Sequence, residues 1–549
     1  MATGTETEAE SRDPLIKGDT EDTGAVAAGA VGLSAVLFAL SLASLFEVVE
    51  LTTPVAGVPL VTFVGGALVA LGGAVIAFGI GSRLGYVETE PQSSAGIVAG
   101  LAFALMWFVA AGLVASQTLG LGTVGWGLSA TAVAVGVFLL STTTREDIGS
   151  TLPAGTITAF AGLVFLTGVI APEWVWNLGW TQKASFTGEF TIPVITLFVS
   201  LISGWAAAKA YAGFGARGRH TGAYVLVYLN ALSIVGVLVV LVAFTVFKGI
   251  GGVLRGVAVG AGTGPESTVV LFGARLTFEW PFYMPFVMNG VGLTNQFNGV
   301  LPAIVGTVWL VVGAVLFAVP LGVGAAIFLT EYAERGRFTQ VVEVATNGLW
   351  STPSIVFGLF GFAFLIPRFG NGKSLLAGML TLGFMLLPLV VITSREAMLA
   401  VPDEYRDASA ALGVSKWQTI RSVVLPAAVP GVVTGIILGV GRIAGETAPI
   451  LLTMAGGVFV PGSRTPDVIG GFQFTSSPPF VSNPVLLDAT SALPYQLYAL
   501  ITAGVGASGN VANPDQFKWA TALVLLVVVL SFYAVGIAAR YYFRRELNQ

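Results

Sequence analysis

Long apolar runs recur along almost the whole chain, and they constrain its fold more than any other feature. Each run holds about twenty residues, the length of α-helix that crosses the hydrocarbon core of a bilayer. Of the 549 residues, 55% are hydrophobic and only 10% are charged, whereas soluble proteins carry about 25% charged residues. We therefore predict an all-α, polytopic membrane protein with about twelve transmembrane helices. The predicted spans cover residues 25–46, 58–81, 95–117, 121–141, 152–172, 190–211, 222–247, 299–329, 341–366, 374–394, 427–453 and 517–540.

Two residue types that build many metal and catalytic sites are almost missing. The chain has no cysteine and a single histidine, which excludes disulfides, thiolate metal sites and sites built from several histidines. We expect no metal, no catalytic residues and no nucleic-acid partner, with membrane lipid as the surroundings. The acidic residues 1–24 contain few large apolar side chains and are predicted to form a disordered cytoplasmic tail rather than a secretory signal.

The basic residues predict how the chain crosses the membrane. Most Lys and Arg residues fall on the cytoplasmic side when both termini are placed inside the cell. A Gly-rich, basic stretch at 212–221 divides the predicted spans into two sets. We therefore predict an N-terminal accessory unit of about six helices at 25–215 and a second six-helix domain at 216–549. The two halves show no convincing repeat, and the sequence assigns no task to the first.

A polar, charged and helix-prone segment interrupts the apolar pattern between Glu404 and Pro426. Its pattern resembles the EAA loop of ABC importer permeases, and the predicted topology places it in the cytoplasm. In that family the loop forms a short coupling helix, which fits into a groove on the ATPase subunit. The resemblance implies that the following residues couple the chain to an ATPase: Glu404, Asp407, Ala408, Ser409, Gly413, Leu425 and Pro426.

Each part of this segment also has a physical interpretation. Gly413 tolerates a left-handed backbone, and the small Ala408 lets a helix pack closely against a partner. Pro426 suits the first turn of the next span, where a missing N–H has no consequence. Three basic side chains are expected to meet ATPase carboxylates or lipid head groups: Arg406, Lys416 and Arg421. The alternative is a plain interfacial amphipathic helix with no docking role.

Three further stretches, at 301–337, 351–365 and 441–453, appear in the same order as motifs of phosphate permeases. They include STPSIVFGLFGFAFL and GRIAGETAPILLT. Together with the EAA-like loop they resemble the phosphate permease family of ABC importers, with subunits of the PstA type matching better than the sister PstC type. The resemblance implies a type I ABC importer permease fold for the C-terminal domain and transport of inorganic phosphate.

Two charges lie inside a predicted span. A charge at the centre of a membrane helix costs about 2.5–3.5 kcal/mol, so intramembrane charges are functional by default. Arg442 and Glu446 are four residues apart, so both lie on one helix face and can pair. The resemblance implies that this span lines the phosphate pathway, with Arg442 attracting the anion and Glu446 moderating that attraction. The alternative is a structural salt bridge between two spans.

Hydroxyl groups extend the candidate pathway. Thr447 follows Glu446, and Thr352 and Ser354 flank a helix-breaking proline; they either face a cavity or repair the kink. Arg395 is explained by snorkelling to the interface. Related sequences place an arginine where this chain has Ile392, so Arg395 is a candidate substitute.

No Walker A motif is present, because Pro367 replaces the first glycine of the nearest match, PRFGNGKS at 367–374. ATP is therefore expected to be used by a partner subunit, and this chain is expected to bind no cofactor. The resemblance implies a second permease subunit (PstC-like), ATP-binding subunits (PstB-like) and an extracytoplasmic phosphate-binding protein. The alternatives are an ABC permease for sulfate, molybdate or tungstate, and a secondary transporter driven by an ion gradient.

Overall fold

A computed structural model describes residues 20–547, apart from 56, 178–183, 261, 272–273, 291–298, 335, 457–463, 479 and 503–513. Residues 1–19 of the predicted acidic tail therefore lie outside the described part, and the first helix begins at Thr20. The chain divides into two compact units, Met1–Val242 and Ala243–Gln549. The predicted boundary near 215 stays a prediction, although the Gly-rich stretch at 215–221 forms the first turns of a long helix.

Unit 1 contains most of seven long helices and two short antiparallel hairpins. The helices are α1 (Thr20–Leu45), α2 (Leu60–Leu84), α3 (Ile97–Leu113), α4 (Thr123–Thr143), α5 (Glu146–Leu166), α6 (Gly188–Tyr211) and α7 (Gly215–Val253). A π-helical turn, Val114–Thr118, extends α3. The hairpins pair β1 (Pro54–Val55) with β2 (Val58–Pro59), and β3 (Val175–Asn177) with β4 (Ser185–Thr187).

Glycines bring the backbones of α2 and α5 into direct contact. A Cβ atom added at Gly155 would lie 2.6 Å from the carbonyl oxygen of Gly72, and one added at Gly162 would lie 2.5 Å from that of Gly65. Because lipid tails are as apolar as the helix surfaces, close backbone packing of this kind is what holds membrane helices together.

A fully buried ion pair lies in unit 1. Lys209 Nζ in the last turn of α6 is 2.7 Å from Glu146 Oε1 in the first turn of α5, and neither side chain is exposed. Glu146 Oε2 accepts hydrogen bonds from the backbone N–H groups of Gln92 and Gly215, each at 3.0 Å. Lys209 Nζ also lies 4.5 Å from the ring centroid of Trp205. One carboxylate thus fastens α6, the start of α7 and the connection before α3 to α5.

Unit 2 is a second helical bundle, whose central helix α12 packs against α9 and α15. Its helices are α8 (Pro285–Met288), α9 (Leu301–Ile327), α10 (Arg337–Ser351), α11 (Ser354–Phe360), α12 (Leu375–Leu399), α13 (Asp403–Ala411), α14 (Lys416–Thr419), α15 (Leu425–Ala444), α16 (Ala448–Thr453), α17 (Pro484–Leu487), α18 (Leu493–Thr502) and α19 (Pro514–Leu547). Other helical turns are Phe328–Tyr332, Gly361–Leu365, Ile366–Arg368 and Ile420–Val424. Antiparallel pairs are β5 (Ala258–Val259) with β8 (Phe282–Tyr283), β6 (Glu266–Leu271) with β7 (Ala274–Glu279), and β9 (Gln473–Phe474) with β10 (Val481–Ser482).

The predicted all-α membrane architecture is confirmed. Among the described residues, 11 helices are long and apolar enough to cross a membrane. The number rises to 12 if a bent pair of helices counts as one span. The bent pair is the main difference from a set of straight spans. The predicted span at 341–366 consists of Arg337–Ser351 and Ser354–Arg368, which meet at 100°. Thr352 and Pro353 form the break, since proline cannot supply the backbone N–H that a continuous helix needs.

Candidate functional site

The EAA-like segment folds as a short helix, a tight turn and the start of a span. Helix α13 ends at Ala411, and Gly413 then adopts a φ of 70°, which a residue with a Cβ disfavours. Ser415 caps α14 through its side chain, which accepts from the N–H of Gln418. The hydroxyls of Ser409 and Thr419 lie 2.8 Å apart and join α13 to α14. Gly413 therefore makes the reversal between the two helices possible.

Most predicted coupling residues lie on an open surface of this segment. Glu404, Asp407, Ala408 and Gly413 are exposed, whereas Ser409 is buried against Thr419. Large apolar side chains accompany them on the same segment, with Tyr405 57%, Leu412 82% and Trp417 54% exposed. Exposed aromatic and large apolar side chains within a polar surround suit protein docking. The coupling role of these residues stays a prediction.

Leu425 and Pro426 are the first two residues of α15, which continues the helical turns that precede it. The helix that crosses the membrane runs without interruption from Lys416 to Ala444. Pro426 therefore lies in the first turn of α15, as predicted, although the helical segment also extends N-terminally to Lys416. A π-helical turn at Ile420–Val424 precedes the proline, and such turns accommodate local breaks in the helical hydrogen-bond ladder. Leu425 packs against the cluster that contains Met398 and Val424.

Arg442 lies in the last turn of α15, where two different groups hold its guanidinium. Its Nε is 4.0 Å from Glu446 Oε1, and its Cζ is 4.0 Å from the ring centroid of Trp350 on α10. Arg442 and Glu446 keep 33% and 19% of their side-chain surface exposed. A carboxylate and an aromatic face both stabilise the cation, and the remaining exposure leaves the guanidinium accessible to an anion.

Two helix breaks lie beside this arginine. Glu446 and Thr447 lie between α15 and α16, and Thr352 lies between α10 and α11. Helices α11 and α16 pack closely, since a Cβ at Gly358 would lie 2.9 Å from Pro449 Cα. The structure thus brings the predicted pathway residues to one region, where broken helices expose backbone polar groups as they do in many transporter sites.

The hydroxyl of Thr352 at the first break bonds to its own helix. Thr352 Oγ1 donates to the carbonyl of Gly348 at 2.9 Å, which is the kink-repair alternative. Ser354 is half-buried as the first residue of α11.

A cleft of about 110 Å³ with both polar and apolar lining lies between α10 and α12, and the sequence did not reveal it. Arg395 Nη1 lies 3.4 Å from Glu343 Oε1 on α10, so this arginine has a specific partner in addition to any snorkelling. Other lining residues are Thr339, Thr346, Asn347 and Ile392. The sequence patterns did not single out Glu343 and Trp350. A signal was present, because residues 343, 347 and 350 are four and three positions apart and therefore share one helix face.

Comparison with known proteins agrees with these features. The family model described as "Binding-protein-dependent transport system inner membrane component" matches residues 318–547. Similar curated proteins include the phosphate transport system permease protein PstA of Haemophilus influenzae, 37% identical over 34% of this chain and 66% of the relative. PstA 1 of Mycobacterium tuberculosis is 34% identical over 46% of this chain and 74% of its own.

Another relative and one solved structure widen the comparison. The probable ABC transporter permease protein YqgI of Bacillus subtilis is 31% identical over 46% of this chain and 85% of its own. An inward-facing structure of the MetNI methionine ABC transporter is 19% identical, with a TM-score of 0.31, and covers 44% of this chain and 94% of that chain. The chain belongs to the binding-protein-dependent transport system inner membrane component family, as a multi-pass inner membrane permease subunit of an ABC importer and not an enzyme.

Proposed function

We propose that this chain is a permease subunit of an ATP-driven importer for inorganic phosphate. The observation that carries the proposal is the partly exposed Arg442, held between Glu446 and Trp350 beside two broken helices. The relatives named PstA support phosphate as the anion. Membership of the ABC importer family sets aside the alternative of a secondary transporter.

The chemistry of Arg442 suits a transient phosphate site. A guanidinium binds phosphate oxygens through parallel N–H groups, and it stays charged at every physiological pH. Trp350 occupies one face of the guanidinium, which keeps it oriented without using its N–H groups. Glu446 lowers the net positive charge, so that an anion is attracted and can also leave. Thr447 is proposed to line the same path, and Thr352 and Ser354 its edge.

Arg395 supplies a second candidate station. It pairs with Glu343 on α10, the same helix that presents Trp350 to Arg442. A phosphate moving along α10 would therefore meet two arginines, each already accompanied by a carboxylate. At each station the arginine would exchange its carboxylate partner for a phosphate oxygen. The guanidinium is then never left unpaired in a low-dielectric region.

The proposed assembly has partners on both sides of the membrane. Both termini and α13 face the cytoplasm, where α13 docks on ATP-binding subunits (PstB-like) that use the ATP. A second permease subunit (PstC-like) completes the pathway, and an extracytoplasmic binding protein delivers phosphate. We assign 216–549 as the permease domain, 25–215 as an accessory unit and 1–24 as a disordered tail.

The test is uptake of labelled phosphate by proteoliposomes that hold the complex, with and without ATP. Arg442→Ala should reduce ATP-dependent uptake by at least about 100-fold. Each charge-assisted hydrogen bond is worth about 1.5–3 kcal/mol, and the guanidinium is proposed to bind two oxygens of the phosphate. Arg368→Ala is the matched control, because Arg368 also lies over an aromatic ring, 3.7 Å from the centroid of Phe364. Normal uptake by Arg442→Ala would refute the pathway role. Competition by sulfate, molybdate or tungstate that exceeds competition by phosphate would reassign the anion.

A further inference from the structure

Arg406 on α13 points inward, although the sequence suggested that it faces an ATPase or lipid head groups. Its Nε and Nη2 donate to Glu331 Oε1 at 3.3 and 3.0 Å. Its Nη1 donates to the carbonyl of Val401 at 2.7 Å and to Asp403 Oδ1 at 3.2 Å, and Nη2 also donates to the carbonyl of Met398 at 2.9 Å. An arginine has five N–H donors, so Arg406 has none left for a partner protein.

These bonds join α13 to the ends of two membrane helices. Glu331 lies in the π-helical turn that follows α9, and only 8% of its side chain is exposed. Met398 lies in the last turn of α12 and Val401 two residues beyond its end, where backbone carbonyls have no N–H partner four residues further along the chain. A cation at this position also complements the negative end of the helix dipole. Arg406 therefore fastens α13 to α9 and α12 simultaneously.

We propose that Arg406 is the positioning residue through which movement of α13 reaches α9 and α12. The proposal rests on the proposed function, in which an ATPase moves α13. Arg395 lies one helical turn before Met398 on α12 and pairs with Glu343, so a shift of the end of α12 would alter the cleft between α10 and α12. A second side-chain link of α13, from Ser409 to Thr419, is a single bond between neutral groups.

The first experiment measures uptake per ATP hydrolysed by the reconstituted complex. Arg406→Gln should lower this ratio about tenfold or more, while the ATPase subunits still co-purify and still hydrolyse ATP. Glu331→Gln should act in the same direction, and Arg406→Lys should retain an intermediate ratio because it keeps the charge but not the fork of donors. The control is Lys518→Gln, which breaks an exposed pair with Asp515 at 3.2 Å. An unchanged ratio, or loss of the ATPase subunits, would overturn the proposal.

A distance measurement separates transmission of movement from simple stabilisation. The chain has no cysteine, so spin labels can be attached to cysteines introduced at Ala411 on α13 and Glu334 after α9. In the otherwise native complex the distance between the labels should stay constant when ATP and vanadate trap the ATPase. In Arg406→Gln it should change, because α13 then moves alone. Equal behaviour of both complexes would refute the link. This readout needs no transported substrate, so it holds even if phosphate proves to be the wrong substrate.

Discussion

The buried pair of Glu146 and Lys209 predicts a large loss of stability when one charge is removed. Lys209→Met leaves a carboxylate in a site where neither side chain of the pair has any exposed surface. Breaking a buried pair by removing one partner costs about 3–5 kcal/mol. For a unit of about 200 residues, each kcal/mol corresponds to about 2–4 °C in Tm, so Tm should fall by about 6–20 °C.

The double variant Glu146→Gln/Lys209→Met provides the decisive comparison. The glutamine still offers a side-chain oxygen to the N–H groups of Gln92 and Gly215, which donate to Glu146 Oε2 in the native protein. With no charge left to desolvate, the double variant should lose only about 1–2 kcal/mol, less than either single variant. Thermal unfolding of the purified chain in detergent, followed by tryptophan fluorescence, gives all four Tm values for the cycle.

Two outcomes would contradict the reasoning. If the two single effects simply added in the double variant, the charges would not interact. If Lys209→Met changed Tm no more than Arg83→Met, a substitution of an exposed basic residue in α2, the burial of the pair would carry no energetic weight.

Two further predictions concern glycines. Gly413→Val should reduce ATP-dependent uptake more than Gly413→Asn. A φ of 70° costs a β-branched residue about 1–2 kcal/mol of conformational energy, whereas asparagine adopts it readily. Equal uptake at equal expression would show that the turn is not needed. Gly155→Val should lower Tm by several degrees, because its Cβ would lie 2.6 Å from the carbonyl oxygen of Gly72. The control is Gly66→Ala, whose Cβ meets no atom within 4 Å. Equal Tm values would refute the close packing of α2 and α5.

The spans were predictable because hydropathy alone determines which segments enter a bilayer. The predicted run at 190–211 became Gly188–Tyr211, and the run at 374–394 became Leu375–Leu399. The 100° bend near Pro353 was not predictable, since the angle depends on packing of α11 against α16 and not on composition.

The candidate site was predictable only where its partners are close in the sequence. The pair of Arg442 and Glu446 follows from a spacing of four residues, and the structure contains it. Trp350, Glu343 and Glu331 reach their arginines from distant helices. No periodicity encodes such contacts. The inward orientation of Arg406 likewise depends on how α13 packs against the ends of α9 and α12, which local sequence does not determine.

Exposure separates the structural charges of this chain from those that suit transport. Glu146 and Lys209 have no exposed surface, and an anion could displace their bond only by unfolding the end of the bundle. Arg442 and Arg395 keep 33% and 31% of their side chains exposed, and each pairs at 3.4 Å or more. Long, partly hydrated pairs are weak, so an incoming anion has little to displace. Charge pairing therefore locks Glu146 and Lys209 in unit 1, whereas the weaker pairing in unit 2 leaves Arg442 and Arg395 available.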